Sequence, residues 1–224
     1  MSYSVFRLAV FDVAGTILSD DGVVIRSFEA AFESVVPEVW GQKREAFTDF
    51  AQKTMGQSKI EVFFALLGDQ RLAEACADRF QREYLLRLKE TRLFPGIEQM
   101  FAMLRTNGIK IALNTGFNRD TLNQILSSHA LEGLIDVSVT PQEAGAGRPS
   151  PAMIRLSAQK LGVEDPKLVA VLGDTATDIE TAKSFGAGLS IGVLTGAHKW
   201  ADFVSVGADL VLERATDALP HLLR

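Results

Sequence analysis

Four groups of polar residues in this sequence have the types and spacing that phosphate-ester chemistry uses. They are Asp12 in FDVAGT, Thr115 in NTG, Arg148 in GRPSP, and the acid pair Asp174 and Asp178 in GDTATD. A carboxylate can act as a nucleophile, and a hydroxyl can donate a hydrogen bond to an anion. An arginine keeps its positive charge, and paired acids suit a hard metal ion. The set therefore offers a nucleophile, a hydroxyl, a fixed cation and a metal site.

Each of these residues also has an ordinary explanation when it is taken alone. An aspartate such as Asp12 or a threonine such as Thr115 often caps a helix, and Arg148 could lie at the surface. Asp178 could be a first-turn charge that favours a helix dipole. The set is harder to explain in this way, because every member follows or lies near the end of a predicted strand. In open α/β sheets, the chemistry lies beyond the carboxyl ends of the strands.

Short apolar runs predict the strands that would position these residues. Most are continuously apolar, which is typical of parallel strands buried on both faces. The runs cover residues 5–13, 110–116, 134–140, 168–174, 189–194 and 208–213. Helical patterns alternate with them over residues 97–108, 118–129, 150–162 and 175–186. This alternation predicts an α/β fold with a Rossmann-like parallel sheet core flanked by helices.

The alternation is interrupted once, between the first strand and the second. That part of the chain has helical patterns, such as those at 28–36 and 71–90, and no convincing strand. The pattern predicts an inserted α-helical domain over residues 19–91, with residues 1–18 and 92–224 forming the core. Its apolar interior is expected to contain four aromatic residues, Phe28, Phe32, Phe63 and Phe64.

The composition limits the kinds of partner that the chain could have. The 224 residues carry a net charge of −5, and the pI is about 5.3, which argues against a general nucleic-acid or membrane-surface binder. No apolar run is long enough to span a bilayer, and the N-terminus does not resemble a signal peptide. The single cysteine, Cys76, excludes an internal disulfide and fits a cytoplasmic location. The expected partner is a small-molecule phosphonate or phosphate, and a homodimer is left open.

The ordered motifs resemble those of the haloacid dehalogenase superfamily. The resemblance implies that Asp12 forms an aspartyl-phosphate and that the helical insert is a cap domain. It also implies that Thr115, Arg148 and the backbone of their loops bind the phosphoryl group. The further positions implied for substrate or phosphate binding are Gly15, Thr16 and Gly116 in the core and Met55 and Gly56 in the insert.

The same resemblance implies a magnesium ion as the cofactor. Mg²⁺ prefers oxygen ligands, which Asp12, Asp174 and the backbone carbonyl of Ala14 can supply. Asp178 would either bind the ion or orient its waters.

Ala14 determines which reaction the resemblance favours. Most phosphatases of the superfamily carry a second aspartate at this position, which protonates the departing alkoxide as a general acid. The phosphonatase (phosphonoacetaldehyde hydrolase) subfamily is similar to this chain in having alanine there and arginine in a GRP loop. Its members break a C–P bond with a cap lysine that forms a Schiff base. The matching segment here is TMGQSKIE, in which Lys59 follows Met55 and Gly56.

The sequence around Lys59 predicts a helix that begins at this residue. Ser58 and Glu61 have the spacing of a capping box. A cation in the first turn opposes the helix dipole, which disfavours its charged form and favours the amine that a Schiff base requires. The chain departs from the phosphonatase pattern at two places. Val62 or Phe63 stands where a histidine is expected, and Phe117 stands where a tyrosine is expected.

Other functions compete with C–P bond hydrolysis at this stage. The chain could be a phosphatase for small phosphate monoesters that have an unusually good leaving group or whose leaving group is protonated with the help of the substrate itself. It could also be a non-catalytic binding relative in which Ala14 marks lost activity, or, less readily, a dehalogenase. Among the histidines, only His198, which follows the fifth strand of the predicted sheet, could approach the active edge.

Overall fold

A computed structural model describes residues 5–19 and 21–224. Residues 1–4 of the predicted core and Asp20 of the predicted insert lie outside the described residues. The described strands, numbered β1 to β8 in chain order, are Leu8–Phe11, Leu18–Ser19, Arg92–Leu93, Lys110–Asn114, Val137–Val139, Val169–Gly173, Leu189–Val193 and Leu210–Leu212.

Six of these strands form one parallel sheet in the order β5-β4-β1-β6-β7-β8. Each lies within one of the six predicted apolar runs, so the α/β fold class is confirmed. The chain moves outward from β1 in one direction through β4 and β5, and in the other direction from β6 to β8. The direction reverses between β1 and β6, and ligands of such sheets bind outside the carboxyl ends at this switch point.

Helices connect the strands and cover both faces of the sheet. Those of the α type, numbered α1 to α11, are Val23–Val35, Pro37–Lys53, Lys59–Leu67, Gln70–Leu86, Ile97–Thr106, Arg119–Ser128, Pro141–Ala144, Ala152–Leu161, Ala176–Phe185, Trp200–Ser205 and Leu219–Leu222. Within residues 5–19 and 21–224, none has the length and apolar character that a membrane-spanning helix requires.

The central strand β1 shows why the strands read as continuous apolar runs. Leu8 and Val10 are buried in one cluster together with residues of α8, whereas Ala9 and Phe11 face a second cluster with residues of α5. Side chains of a strand alternate between faces, so a strand covered on both sides must be apolar at every position.

A short antiparallel pair of strands, β2 and β3, joins the helical insert to the core. Helices α1 to α4 lie between β2 and β3, which pair through Leu18 with Leu93 and Ser19 with Arg92. The expectation that this part of the chain holds no strand was therefore wrong. Strands of two residues are too short to produce a hydrophobic period. The exact division at residues 18/19 and 91/92 stays a prediction.

Aromatic side chains fill the interior of the insert. The Phe63 ring lies 4.8 Å from Phe28 and 5.0 Å from Phe32, between centroids, and Phe32 stacks on Trp40 at 5.3 Å. The expectation for Phe64 was wrong, because its side chain is 47% exposed. Adjacent positions on a helix point in different directions, so only one of two consecutive phenylalanines faces the interior here.

Replacing Phe63 by Ala is expected to lower the free energy of unfolding by about 3–5 kcal/mol, because it removes a fully buried ring from a packed cluster. The matched control is Phe64→Ala, which should change this free energy by no more than about 0.5 kcal/mol. Urea unfolding followed by circular dichroism measures both. Equal losses in the two variants would contradict the described packing.

Candidate active site

The carboxyl ends of three neighbouring strands bring the first and last sequence motifs together. Phe11 is in register with Leu113 of β4 and with Leu172 of β6, so Asp12, Asn114 and Gly173 follow at the same level. The Asp12 backbone N–H donates to the Leu172 carbonyl at 2.9 Å. Asp174 comes one residue later. Parallel pairing alone therefore places the Asp12 and Asp174 motifs beside each other.

Arg148 connects this edge of the sheet with the insert. Its Nη1 lies 2.7 Å from Asp12 Oδ1 and donates to the Gly56 carbonyl at 3.0 Å. Its Nη2 donates to the Asn114 carbonyl at 2.7 Å, and its Nε lies 2.9 Å from Asp178 Oδ1. Arg148 is only 4% exposed, and each of its three guanidinium nitrogens has a partner in the protein.

Both carboxylate oxygens of Asp178 accept hydrogen bonds from other residues of the protein. Its Oδ1 accepts from Arg148, and its Oδ2 accepts from the Thr175 hydroxyl at 2.6 Å and the Thr175 N–H at 3.1 Å. The second pair of bonds closes a capping box at the start of α9. Asp178 therefore holds Arg148 and the start of α9, and its role at a metal ion stays a prediction.

Burial and repulsion between carboxylates dominate the charge balance. Burial raises the pKa of Asp12 from 3.8 to about 7, and Asp178 adds to this, while Arg148 and Lys59 lower it. Burial also raises the pKa of Asp174, with Asp12 and Asp178 contributing in the same direction. For Arg148, burial opposes the charged form, yet the neighbouring Asp178 and Asp12 raise its pKa overall. The site thus has more negative charge than Arg148 alone neutralises.

The donor set suits a divalent cation. Asp12, Ala14 and Asp174 line one small cavity, so two carboxylates and a backbone carbonyl are available there. Within the described ranges, no group of three or more His, Cys, Asp and Glu side chains is arranged to hold a metal. Mg²⁺ commonly binds through one or two carboxylates and keeps several waters, so a third acidic side chain is not required. A cation here would also relieve the repulsion between Asp12 and Asp174.

Thr115 and Gly116 form the wall of the cavity next to the insert. Thr115 is 2% exposed, and its Oγ1 accepts from the Phe117 N–H at 3.3 Å. Gly116 lies so close to the insert that an added Cβ would be 2.3 Å from the Gln57 carbonyl oxygen. The absence of a side chain at Gly116 therefore allows the segment that contains Met55 and Gly56 to lie directly over the site.

Gly15 and Thr16 shape the loop after Asp12 rather than facing the cavity. The Gly15 N–H donates to the Leu18 carbonyl at 2.7 Å, and Thr16 is fully buried with its N–H 3.4 Å from the Val13 carbonyl. Neither lines the cavity shared by Asp12 and Lys59. Their backbone N–H groups donate within the turn, and the phosphate contacts of these two residues stay a prediction.

Lys59 lies in an aromatic environment at the first turn of α3. Its Nζ is 5.5 Å from the Phe117 ring centroid, 5.6 Å from Phe28 and 5.9 Å from Phe80. It also donates to the Gln57 carbonyl at 3.4 Å. The helix begins at Lys59 as predicted, but the expected capping box was wrong, because Ser58 makes no side-chain cap hydrogen bond.

One small cavity joins the predicted catalytic residues of the core and the insert. Its volume is about 20 Å³, and its lining includes Asp12, Ala14, Lys59, Thr115 and Asp174. This volume is enough for about one water molecule. A larger cavity of about 460 Å³ reaches Ala14 and Asp174 from the other side. The small cavity by itself does not have the volume to hold an organic phosphonate.

Two features of the site were missed by reasoning from the sequence. Phe28 was treated only as a core residue and Phe80 was not considered, although both rings lie beside Lys59. The segment from Thr195 to His198 was considered only for its histidine, although the Ala197 N–H donates to Asp174 Oδ2 at 2.8 Å. Its position after β7, at the same sheet edge, was the available signal.

Replacing Arg148 by Lys is expected to lower turnover by about 10²–10³-fold. Lysine keeps the charge, but its compact ammonium cannot reach Asp12, Asp178 and the two carbonyls at once. Steady-state kinetics measures the loss. The control is Arg155→Lys on α8, a residue that is exposed and remote from the cavity, which should leave turnover unchanged. A loss below threefold in Arg148→Lys would contradict the role of its four contacts.

Comparison with known proteins shows the family of the chain. A family model described as a haloacid dehalogenase-like hydrolase matches residues 6–186. The phosphonoacetaldehyde hydrolase of Bacteroides fragilis is 32% identical over 190 residues, which cover 75% of this chain and 67% of that protein. The phosphonoacetaldehyde hydrolase of Bacillus cereus is 30% identical over 209 residues, which cover 85% of this chain and 76% of that protein.

A solved structure shares the overall fold. The crystal structure of a phosphonoacetaldehyde hydrolase-like protein from Oleispira antarctica gives a TM-score of 0.79 and covers 100% of this chain and 94% of that chain. The two sequences are 19% identical, so this likeness concerns the fold alone.

Proposed function

Because the chain belongs to the haloacid dehalogenase-like hydrolases, we propose that it hydrolyses the C–P bond of phosphonoacetaldehyde or a related 2-oxoalkylphosphonate. One observation carries this proposal. Lys59 lines the same small cavity as Asp12, and the residue two positions after Asp12 is Ala14. The cavity thus combines an amine for the carbonyl end of the substrate with a carboxylate for the phosphorus end, and it lacks the usual general acid.

The first half of the reaction takes place at Lys59. Its neutral amine condenses with the substrate carbonyl, releases one water and forms an imine, which is protonated to an iminium ion. Starting from the lysine ammonium ion, the proton lost to give the amine is regained by the imine, so the nitrogen again carries one positive charge. The rings of Phe28, Phe80 and Phe117 lie within 6 Å of that nitrogen, and this environment favours a cation.

The second half takes place at Asp12. Its carboxylate attacks phosphorus, the C–P bond breaks, and the electron pair of that bond moves into the iminium to give an enamine on Lys59. Protonation of the enamine carbon and addition of water release the aldehyde and restore the amine. Water then hydrolyses the aspartyl-phosphate to Asp12 and phosphate. The net reaction consumes one water molecule.

Ala14 is consistent with this route because no alkoxide leaves. A general acid at that position contributes about 10²–10⁴-fold in reactions that must protonate a leaving oxygen. Here the departing electrons are accepted by the iminium of Lys59. The two positions therefore complement each other, since the chemistry absent at Ala14 is supplied from the insert.

We also propose that Mg²⁺ assists the reaction, held by Asp12, Asp174 and the Ala14 carbonyl. When bound, it would neutralise charge on the phosphoryl oxygens and on the two carboxylates. Arg148 supplies a second positive charge at the same place, since it lies 2.7 Å from Asp12. Asp178 acts through Arg148 by holding its Nε.

Borohydride trapping tests the proposed function directly. The protein is incubated with phosphonoacetaldehyde and Mg²⁺, reduced with sodium borohydride, digested and examined by mass spectrometry. We expect a reduced two-carbon adduct at Lys59 and phosphate release before reduction. A panel of phosphate monoesters is run in parallel. Efficient turnover of monoesters with no adduct at Lys59 would identify a phosphatase, and turnover of neither class would leave a binding protein.

A further inference from the structure

Backbone N–H groups of the segment after β7 donate hydrogen bonds to both the side chain and the backbone carbonyl of Asp174. The Ala197 N–H donates to Asp174 Oδ2 at 2.8 Å, and the His198 N–H donates to the Asp174 carbonyl at 3.2 Å. One carboxylate oxygen is therefore committed to Ala197, which fixes the orientation of the carboxylate. We name residues 195–198 the Asp174 clamp.

The clamp also contacts the loop that carries Asp12 and Ala14. The Thr195 hydroxyl donates to the Gly15 carbonyl at 2.6 Å. Gly15 and Gly196 approach the Asp174 carboxylate from two sides, since an added Cβ would lie 2.3 Å and 2.0 Å from Oδ2 respectively. The Asp174 side chain is thus confined between two stretches of backbone, and a small shift of the clamp would displace it.

The His198 ring fixes the far end of the clamp. Its Nδ1 accepts from the Ala176 N–H at 2.9 Å, and Ala176 is the first residue of α9. The first backbone N–H groups of a helix have no partner within the helix, so the imidazole satisfies one of them. Because Nδ1 accepts this bond, the ring proton of the neutral imidazole lies on Nε2. The side chain of His198 therefore joins the clamp to the helix that contains Asp178.

We infer that His198 is a positioning residue for the cation site. Its imidazole ties the clamp to the start of α9, and the clamp in turn fixes the carboxylate of Asp174. His198 does not itself contact the cation or the substrate. This inference rests on the proposed function in one respect, namely that Asp174 binds a divalent cation. Partners that orient a metal ligand typically contribute about 10–100-fold to metal affinity or activity.

Divalent-cation binding by the full chain without substrate tests the inference. Mn²⁺ is titrated and the free ion is followed by electron paramagnetic resonance, with Mg²⁺ as a competitor. His198→Ala should weaken Mn²⁺ binding by about tenfold or more. His198→Asn should restore it to within about threefold of wild type, because the asparagine Oδ1 can take the place of Nδ1 as acceptor. His221→Ala, in the terminal helix, is the matched control and should bind as wild type does.

The Mg²⁺ dependence of turnover is a second measurement, and it distinguishes weaker cation binding from a loss of folding. In His198→Ala, the Mg²⁺ concentration for half-maximal turnover should rise by about tenfold, while turnover at saturating Mg²⁺ stays within about threefold of wild type. If His198→Ala does not fold, His198→Gln replaces it, because its amide oxygen lies one bond too far to match Nδ1. The Asn variant should then bind Mn²⁺ more tightly than the Gln variant.

The outcomes separate this inference from the proposed function. Wild-type affinity for Mn²⁺ in a folded His198→Ala variant would overturn the inference alone, as would equal affinities in the Asn and Gln variants. A wild-type protein that binds no divalent cation would overturn the inference together with the cation part of the proposed function. Adduct formation at Lys59 is independent of either result.

Discussion

Replacing Lys59 by Arg is expected to reduce hydrolysis of phosphonoacetaldehyde to below about 10⁻⁴ of the wild-type rate, in line with the loss of a covalent catalyst. Arginine keeps a positive charge near Asp12 and the aromatic rings, but a guanidinium does not lose its proton and cannot form a Schiff base. The substitution therefore removes the covalent step and retains most of the electrostatic environment. Phosphate release at saturating Mg²⁺ is the measurement.

The chain provides a matched control for this substitution. Lys53 is 73% exposed and pairs with Asp49 at 2.7 Å, so Lys53→Arg should leave turnover unchanged. An activated acyl phosphate such as acetyl phosphate needs no imine, so any turnover of it by the wild type should persist in Lys59→Arg. Retention of more than a tenth of the phosphonoacetaldehyde activity in Lys59→Arg would exclude Schiff-base catalysis at this residue.

Replacing Asp12 by Asn is expected to reduce phosphate release to below about 10⁻⁴ of wild type with every substrate. The amide is not a nucleophile towards phosphorus, and it supplies no negative charge for a cation. The amide oxygen can still accept the hydrogen bond from Arg148, so the surrounding contacts are conserved. Thermal unfolding checks that the variant remains folded.

The two substitutions should separate the two halves of the reaction. Asp12→Asn retains Lys59, so borohydride should trap an adduct that still contains the phosphonate, because the C–P bond is intact. The wild type should yield the adduct of the cleaved product, and Lys59→Arg should yield none. An Asp12→Asn variant that releases phosphate at a tenth of the wild-type rate would show that the nucleophile is another group.

These patterns also distinguish the competing classes of function. A phosphate-monoester phosphatase would lose activity in Asp12→Asn and keep it in Lys59→Arg. A binding relative would release no phosphate from either class of substrate, although its cavity residues are the same. Only in the C–P hydrolase, which the combination of Ala14 and Lys59 favours, should both substitutions abolish turnover. Asp12→Asn removes the nucleophile, and Lys59→Arg removes the amine that forms the Schiff base.

Much of the fold could be predicted from local sequence patterns. The six apolar runs identified every strand of the large sheet, because a strand covered on both faces must be apolar at each position. Helical patterns also identified the helices of the core over residues 97–108, 118–129, 150–162 and 175–186. The pairing of β2 with β3 was not predicted, because each strand has only two residues and the pairing joins Leu18 to the distant Leu93.

Part of the candidate site could likewise be predicted from the sequence. The sequence by itself determined that Asp12 and Asp174 each follow a strand of one parallel sheet, because the common polarity of such strands places these residues at one edge. Its local motif also identified Lys59 as a candidate, and the start of α3 agrees with that motif.

Only the tertiary structure decided how these groups are held. Arg148 contacts Gly56, 92 positions away, and Thr195 contacts Gly15, 180 positions away. Asp178 turns to Arg148 and Thr175, and three phenylalanines distant in sequence surround Lys59. Such contacts depend on how the packed elements meet. Sequence spacing reports the period of a helix or strand, but it contains no information about the side chains of other elements that will lie opposite.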